Sequence, residues 1–278
     1  MNAFFRQLIG IVLGFLAALP VAHALPREDA VPGGIALIRL GQAAHAPHVW
    51  FQEKRVAVLR NRQGWVALVG LPLSLEPGVH ELRIAHPGRA EETRPLHVAA
   101  KRYALQRFTV PDQRKVEPLP EDELRIAREQ KRIGEIKAAF RDEPAPDLAF
   151  RQPAQGRLSG NFGLRRIING LERSPHAGID VAVPVGTPVL AAGAGVVVDT
   201  GDYFFNGNSV YIDHGQGVVT LYCHLERSNV RPGEPVAAGQ RIGLSGNTGR
   251  TSGPHLHWTV IANGTAVDPR LFLPKAVK

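Results

Sequence analysis

One cysteine, Cys223, stands in a chain of 278 residues. An intramolecular disulfide is therefore excluded, and so is a zinc site built from several thiolates. A chain of this length can bury cores large enough to fold without covalent staples. The body of the chain also lacks any run of about 18 or more apolar residues, which excludes an internal membrane-spanning helix. No H-E-x-x-H segment occurs, so the metal-site class that uses a glutamate base on a helix is excluded. Beyond residue 150 helical periodicity is nearly absent. Acidic residues are outnumbered, 25 against 33 Lys and Arg, for a net charge of +8. That excess suits peripheral association with anionic lipid head groups or an acidic wall polymer, and dispersed charge of this kind also serves simple solubility.

The first 24 residues read as a secretory signal peptide. Arg6 precedes an apolar run from Leu8 to Leu19, and Ala22-His23-Ala24 supplies an A-x-A site with cleavage expected after Ala24. An uncleaved N-terminal anchor is the alternative. Either way the folded part is expected outside the cytoplasm, periplasmic or secreted, and no nucleic-acid partner is expected.

Residues 25–112 carry short apolar stretches such as "GIALIRLG", "WVALVGLPL" and "VHELRIAH", punctuated by turn signals such as Pro77-Gly78. That spacing predicts a small antiparallel β-sandwich or barrel. Its histidines, His45, His48, His80, His86 and His97, sit in no ligand-like pair with a carboxylate and read as ordinary surface or satisfied groups. Residues 113–150 are charged and bounded by prolines. Glu121 to Phe140 predicts a linker helix, acidic at its start, with Leu124, Ala127, Ile133, Ile136 and Phe140 near one face. Residues 151–278 are rich in glycine and β-branched residues, which predicts a Gly-rich antiparallel β domain. The overall fold class is mainly β.

Three segments of the last region carry chemistry. In "HAGID", His176 and Asp180 are four apart and share a face of an extended chain. In "HLH", His255 and His257 point the same way, roughly 7 Å apart at Cα, with Leu256 and Trp258 turned into the core. Both imidazoles could bind one metal, or one could bind it while the other faces substrate. Two half-buried histidines on an edge strand are the bland alternative. In "LYCHL", His224 shares a strand face with Thr220 and Tyr222, and Cys223 on the opposite face reads as a small buried hydrophobe. Histidine and aspartate are good donors for zinc, which catalytic sites hold with three protein ligands and an open fourth position. Spare histidines suit proton transfer and charge stabilisation.

The blocks "SGNFGLR", "HAGIDVAVPVGTPVLAAGAGVV", "NSVYIDHGQGVVTLYCHL", "VAAGQRIGLSGNTGRTSGPHLHW" and "VDPRLFL" together resemble the lysostaphin-type (LytM-like) zinc metallopeptidases, a family of peptidoglycan endopeptidases. The resemblance covers about residues 155–274. It implies one zinc ion held by His176, Asp180 and His257, with His224 and His255 as the catalytic pair. It implies peptide cross-links of peptidoglycan as substrate. Asn161 is a weaker candidate for the groove's border, Arg165 and Arg166 could meet peptide carboxylates or equally be solvated, and His214 is structural on the family pattern. Some relatives have lost ligands and act as non-enzymatic regulators of other wall enzymes. No ligand position is lost here.

Overall fold

A computed structural model describes residues 25–142 and 146–274; the expected signal peptide, residues 1–24, lies outside them. The first region folds as seven strands: β1 (Ile35–Gly41), β2 (His48–Phe51), β3 (Lys54–Arg55), β4 (Ala57–Asn61), β5 (Gly64–Gly70), β6 (Gly78–Ala85) and β7 (Glu92–Val98). They form two antiparallel sheets, in the orders β1-β5-β4 and β3-β2-β6-β7. Leu40, Phe51, Val69, Leu82, Ile84 and Leu96 fill the space between them, so of the two expected forms the sandwich is realised.

Strand β5 explains why "WVALVG" reads as a continuous apolar run. Ala67 and Val69 face the sandwich, while Leu68 faces the opposite way, into the core of the C-terminal region. A strand covered on both faces has no polar side to alternate with. Asn263 reinforces the seam: its Oδ1 accepts from Gly70 N–H at 2.6 Å and its Nδ2 donates to Gly70 O at 3.0 Å.

Next along the chain come β8 (Leu105–Phe108) and helix α1 (Pro120–Ala138). Proline at the first turn and the Asp122 carboxylate, which accepts from Leu119 N–H at 3.1 Å, start the helix. The expected apolar face is only partly used. Ile136 is 4% exposed, but Leu124 is 75% exposed. Only the C-terminal turns lie on apolar surface, beside Tyr211, Val219 and Leu221. Ion pairs tether the rest of the helix, Arg125 to Asp202 in its N-terminal half and Arg132 to Asp199 just past its middle.

The remaining strands are β9 (Arg157–Gly160), β10 (Arg165–Ile168), β11 (Leu171–Arg173), β12 (Ile179–Ala182), β13 (Pro188–Leu190), β14 (Gly195–Tyr203), β15 (Gly207–Gly215), β16 (Val218–Ser228), β17 (Pro235–Val236), β18 (Arg241–Ser245), β19 (Leu256–Ala262) and β20 (Thr265–Val267). The main path of the large sheet runs β17-β14-β15-β16-β19-β12-β9. One face, with Ile179, Val181, Tyr222, Leu256, Trp258 and Val260, packs into the core shared with the N-terminal sheet. A separate small sheet joins β11, β10 and β8, with β8 parallel to β10. The segment that leaves the N-terminal sandwich is thus tied to the C-terminal region before the helix begins.

Candidate metal centre and its cleft

Three neighbouring strands set the site's floor. Asp180 on β12 pairs with His257 on β19, and His257 pairs with Cys223 on β16. Cross-strand partners share a face, so all three point away from the core occupied by Ile179, Trp258 and Tyr222. His176 enters from the loop before β12 and is fully buried. Gly178 makes that entry feasible. A Cβ there would lie 2.4 Å from Trp258 O and 2.8 Å from His257 Cε1.

His176 Nε2 lies 2.9 Å from Asp180 Oδ1 and 2.9 Å from His257 Nδ1, and His257 Nδ1 lies 2.8 Å from Asp180 Oδ1. The outer nitrogens decide what these atoms offer. Asn161 O can only accept, so His176 carries its proton on Nδ1, 2.8 Å away, and leaves Nε2 as a lone pair. Thr259 Oγ1 accepts a hydrogen bond from His257 Nε2–H at 3.0 Å, which leaves the Nδ1 lone pair facing inward. Two imidazole lone pairs and a carboxylate oxygen therefore converge on one point. That donor set fits a divalent cation, and zinc in particular among metals that favour nitrogen and oxygen. Burial works against ionising Asp180, but its contacts with His176 and His257 outweigh burial and hold the carboxyl well below its usual range. Burial pushes His257 down to about 4, keeping it neutral as a ligand must be.

His224 and His255 stand beside this triad. His255 Nε2 is 3.7 Å from Asp180 Oδ1, and the His224 and His255 rings are 4.8 Å apart. Each donates Nδ1–H to a backbone carbonyl, His224 to Thr248 and His255 to Gly253, both at 2.8 Å, so both turn Nε2 to the cleft. Burial first, then the neighbouring His255 and His257, lowers the pKa of His224 well below the ordinary value.

One face assignment needs correcting. Strand alternation predicts that His224 shares the face of Thr220 and Tyr222, opposite Cys223. Thr220 and Tyr222 do point to the core side, where Tyr222 Oη meets Thr220 Oγ1 and Ala192 N–H. His224, however, adopts φ +60°. That left-handed residue breaks the alternation and swings the imidazole to the side of His257 and Cys223. The Cys223 reading is unaffected: the thiol is buried and pushed up to about 12 by that burial, too high for a thiolate.

The cleft above these groups encloses about 100 Å³. Arg250, Thr251 and Ser252, from the loop that precedes β19, form one wall. Arg166, Gln106 and Phe108 form the other. The two β8 residues escaped sequence reasoning because only the parallel pairing of β8 with β10 brings them there. Arg166 turns inward, with Nη2 3.4 Å from Asp180 Oδ2, while Arg165 turns out to Glu172. Asn161 serves through its carbonyl, and its side chain accepts from Arg270. His214 lies elsewhere, buried between Ala194 O and Thr220 Oγ1. Of the N-terminal histidines, His86 does meet a carboxylate, Glu92 Oε1 at 3.2 Å, on the surface of the β6–β7 hairpin. A larger cavity, about 480 Å³, opens between the β2–β3 turn and the end of α1 and contains none of these histidines.

Two family models match the chain: peptidase family M23 over residues 174–269 and the peptidase family M23 N-terminal domain over residues 28–101. A crystal structure of an M23 peptidase from Pseudomonas aeruginosa superposes with a TM-score of 0.75 at 37% identity, covering 88% of this chain and 95% of that one. The chain belongs to peptidase family M23. The lysostaphin-type resemblance read from the motifs is thereby established as family membership. Among curated relatives, the peptidoglycan DD-endopeptidase ShyA of Vibrio cholerae is 50% identical over 40% of this chain and 26% of its own length. The peptidoglycan DD-endopeptidase ShyC of the same organism is 45% identical over 51% of this chain and 31% of its own length. The chain thus matches about a third or less of these relatives.

Proposed function

We propose that this M23 protein is an exported zinc-dependent endopeptidase that hydrolyses peptide cross-links of peptidoglycan. The observation that carries the proposal is the convergence of His176, Asp180 and His257 beside two further histidines whose Nε2 atoms face the same cleft. The relatives named as DD-endopeptidases support a D,D-bond as the target.

Zinc on the three converging donors supplies a Lewis acid and a water acidified towards neutral pH. The chain's own groups do the rest. His255 Nε2, beside Asp180, orients the attacking water and accepts its proton, and its Nδ1–H bond to Gly253 O keeps that nitrogen free to do so. His224, held neutral with its Nδ1–H on Thr248 O, presents an Nε2 lone pair that helps to orient the attacking water. His255, carrying the proton taken from that water, stabilises the charge developing in the tetrahedral state and returns the same proton to the departing amine. Arg166 steadies the Asp180 oxygen turned away from the triad.

A purified, zinc-loaded protein is expected to release muropeptides from isolated walls, and His255→Ala is expected to abolish release. Intact zinc-loaded protein that cleaves no wall type, and behaves like His255→Ala, contradicts the proposal. A non-enzymatic regulator of other wall enzymes is the second reading. Its distinguishing outcome is wall binding with no zinc and no cleavage.

A further inference from the structure

The wall of the cleft made by residues 247–254 carries a charge that no described residue answers. Arg250 is half-buried, and among the described residues it forms no ion pair or side-chain hydrogen bond. Its position is nonetheless fixed. Arg250 N–H donates to Phe205 O at 2.8 Å, and the guanidinium stacks over the Phe205 ring at 4.6 Å. The preceding Gly249 has φ +74°, and a Cβ there would lie 2.4 Å from Gly207 N, so the loop is clamped against the β14–β15 turn. A stacked, pre-set guanidinium loses little freedom on binding a planar anion.

Across the cleft stands Arg166, whose Nε is buried without a hydrogen-bond partner. Its one carboxylate neighbour, Asp180, is the same group that faces the metal triad. The cleft lining thus holds two guanidinium groups and one carboxylate, which Arg166 contacts and Arg250 does not, and any dication bound there adds to the positive excess. Burial and the like charges of Arg166 and Arg173 push Arg250 down to about 10, which still leaves it cationic at neutral pH.

We infer that Arg250 reads a free carboxylate on the carbon that bears the scissile amide nitrogen. This inference rests on the proposed endopeptidase activity and names the class of bond that the site prefers. A carboxylate in that position lies only a few bonds from the carbonyl under attack, so one small cleft can hold both. A direct cross-link through a diamino acid such as diaminopimelate presents that group, and so does the terminal peptide bond of an uncross-linked stem. The interior of a glycine bridge does not. A bidentate arginine–carboxylate contact is among the stronger polar interactions and discriminates well against an uncharged amide.

The test compares one defined muropeptide dimer in two forms, with that carboxylate free or amidated, alongside an uncross-linked pentapeptide stem. Binding is read by calorimetry on zinc-loaded His255→Ala protein, and turnover is read on the wild type by mass spectrometry. The free acid is expected to bind at least about tenfold more tightly, and to show a similarly higher kcat/KM. Arg250→Gln should erase the preference, while Arg250→Lys, which keeps the charge but not the fork, should retain part of it. Cleavage of the pentapeptide as well would assign the carboxylate rule to both sources, and its resistance would restrict the rule to the cross-link. Preferential binding of the acid without turnover keeps the subsite and removes the endopeptidase. Equal binding of acid and amide to protein carrying Arg250 overturns the inference, and that comparison needs no Arg250 variant to fold.

Discussion

At the scale of single residues, the site depends on atoms that carry no chemistry themselves. Gly178 is the sharpest case. Its missing side chain lets the His176 loop pass within contact of Trp258 O and the His257 ring. Gly178→Ala should displace His176 or His257 and weaken zinc binding by about 10- to 100-fold, the usual cost of disturbing ligand orientation. Competition with a chelator of known affinity checks this. His214 gives a second prediction, on stability. Burial lowers its folded pKa to about 4, against an ordinary value of 6.5. As pH falls below 6.5 the unfolded chain takes up a proton that the folded chain refuses. Its contribution is therefore at its full value above about 6.5 and declines toward 4. His214→Gln should show a shallower fall in melting temperature between about pH 7 and pH 5 than the wild type, and an unchanged slope contradicts the assignment. What was legible at this scale follows the motifs. His176 with Asp180, and His255 with His257, sit close in sequence, so the spacing marked each pair as a candidate, although His176 reaches the site from the loop before β12 and not from a strand face. His224 was legible as a candidate but not in its orientation, because its φ of +60° is a property of the folded β16 and not of "YCHL". Arg250 was hidden in a polar loop, with nothing local to distinguish it from a solvated cation.

At the scale of elements, β8 is the segment whose role the sequence conceals. "LQRF" has no strong strand signal, and its pairing with β10 spans about sixty residues of chain. That pairing sets Gln106 and Phe108 into the cleft, with Gln106 Oε1 buried and unpartnered and the Phe108 ring against Arg166. A restraint by the linker helix or the N-terminal region is a natural expectation from the domain order. Within the N-terminal region as bounded at residues 25–112, it is β8 that lines the cleft, while α1 packs on the sheet away from the cleft lining. Phe108→Ala should widen the cleft and raise the cleavage rate on intact, cross-linked walls several-fold. It should change the rate on a small soluble dimer less. Muropeptide release compared across the two substrates reads the difference, and equal or lower rates on both would count against a restraint by β8. In α1, Ile136 is the single well-buried apolar anchor, so Ile136→Ala should cost about 2–4 kcal/mol in a denaturant titration. Leu124→Ala, at a position largely in solvent, should cost little.

At the scale of the whole molecule, one core runs from Ile35, Leu59 and Leu68 of the N-terminal sheet through Phe150 to Trp258 and Val260 of the large sheet. The three regions distinguished by composition are real as sequence. Their packing adds a seam that no local pattern announces, apart from the unbroken apolar run of β5. A chain with this shared core should unfold in one cooperative step, with fluorescence and circular dichroism transitions coincident. Asn263→Ala, which removes the side-chain partners of both polar groups of Gly70, should cost about 1–3 kcal/mol of stability, shifting that single midpoint without splitting the transition.

The central claim is a division of labour within one short segment, with His257 on β19 holding the metal and His255, just before that strand, handling the proton. Elemental analysis of zinc in purified His255→Ala and His257→Ala, set beside wall cleavage by both, tests it most directly. The expected result is no cleavage by either variant, with about one zinc per chain retained in His255→Ala and zinc lost from His257→Ala. Equal zinc content in the two variants, or cleavage by His255→Ala at the wild-type rate, would contradict it.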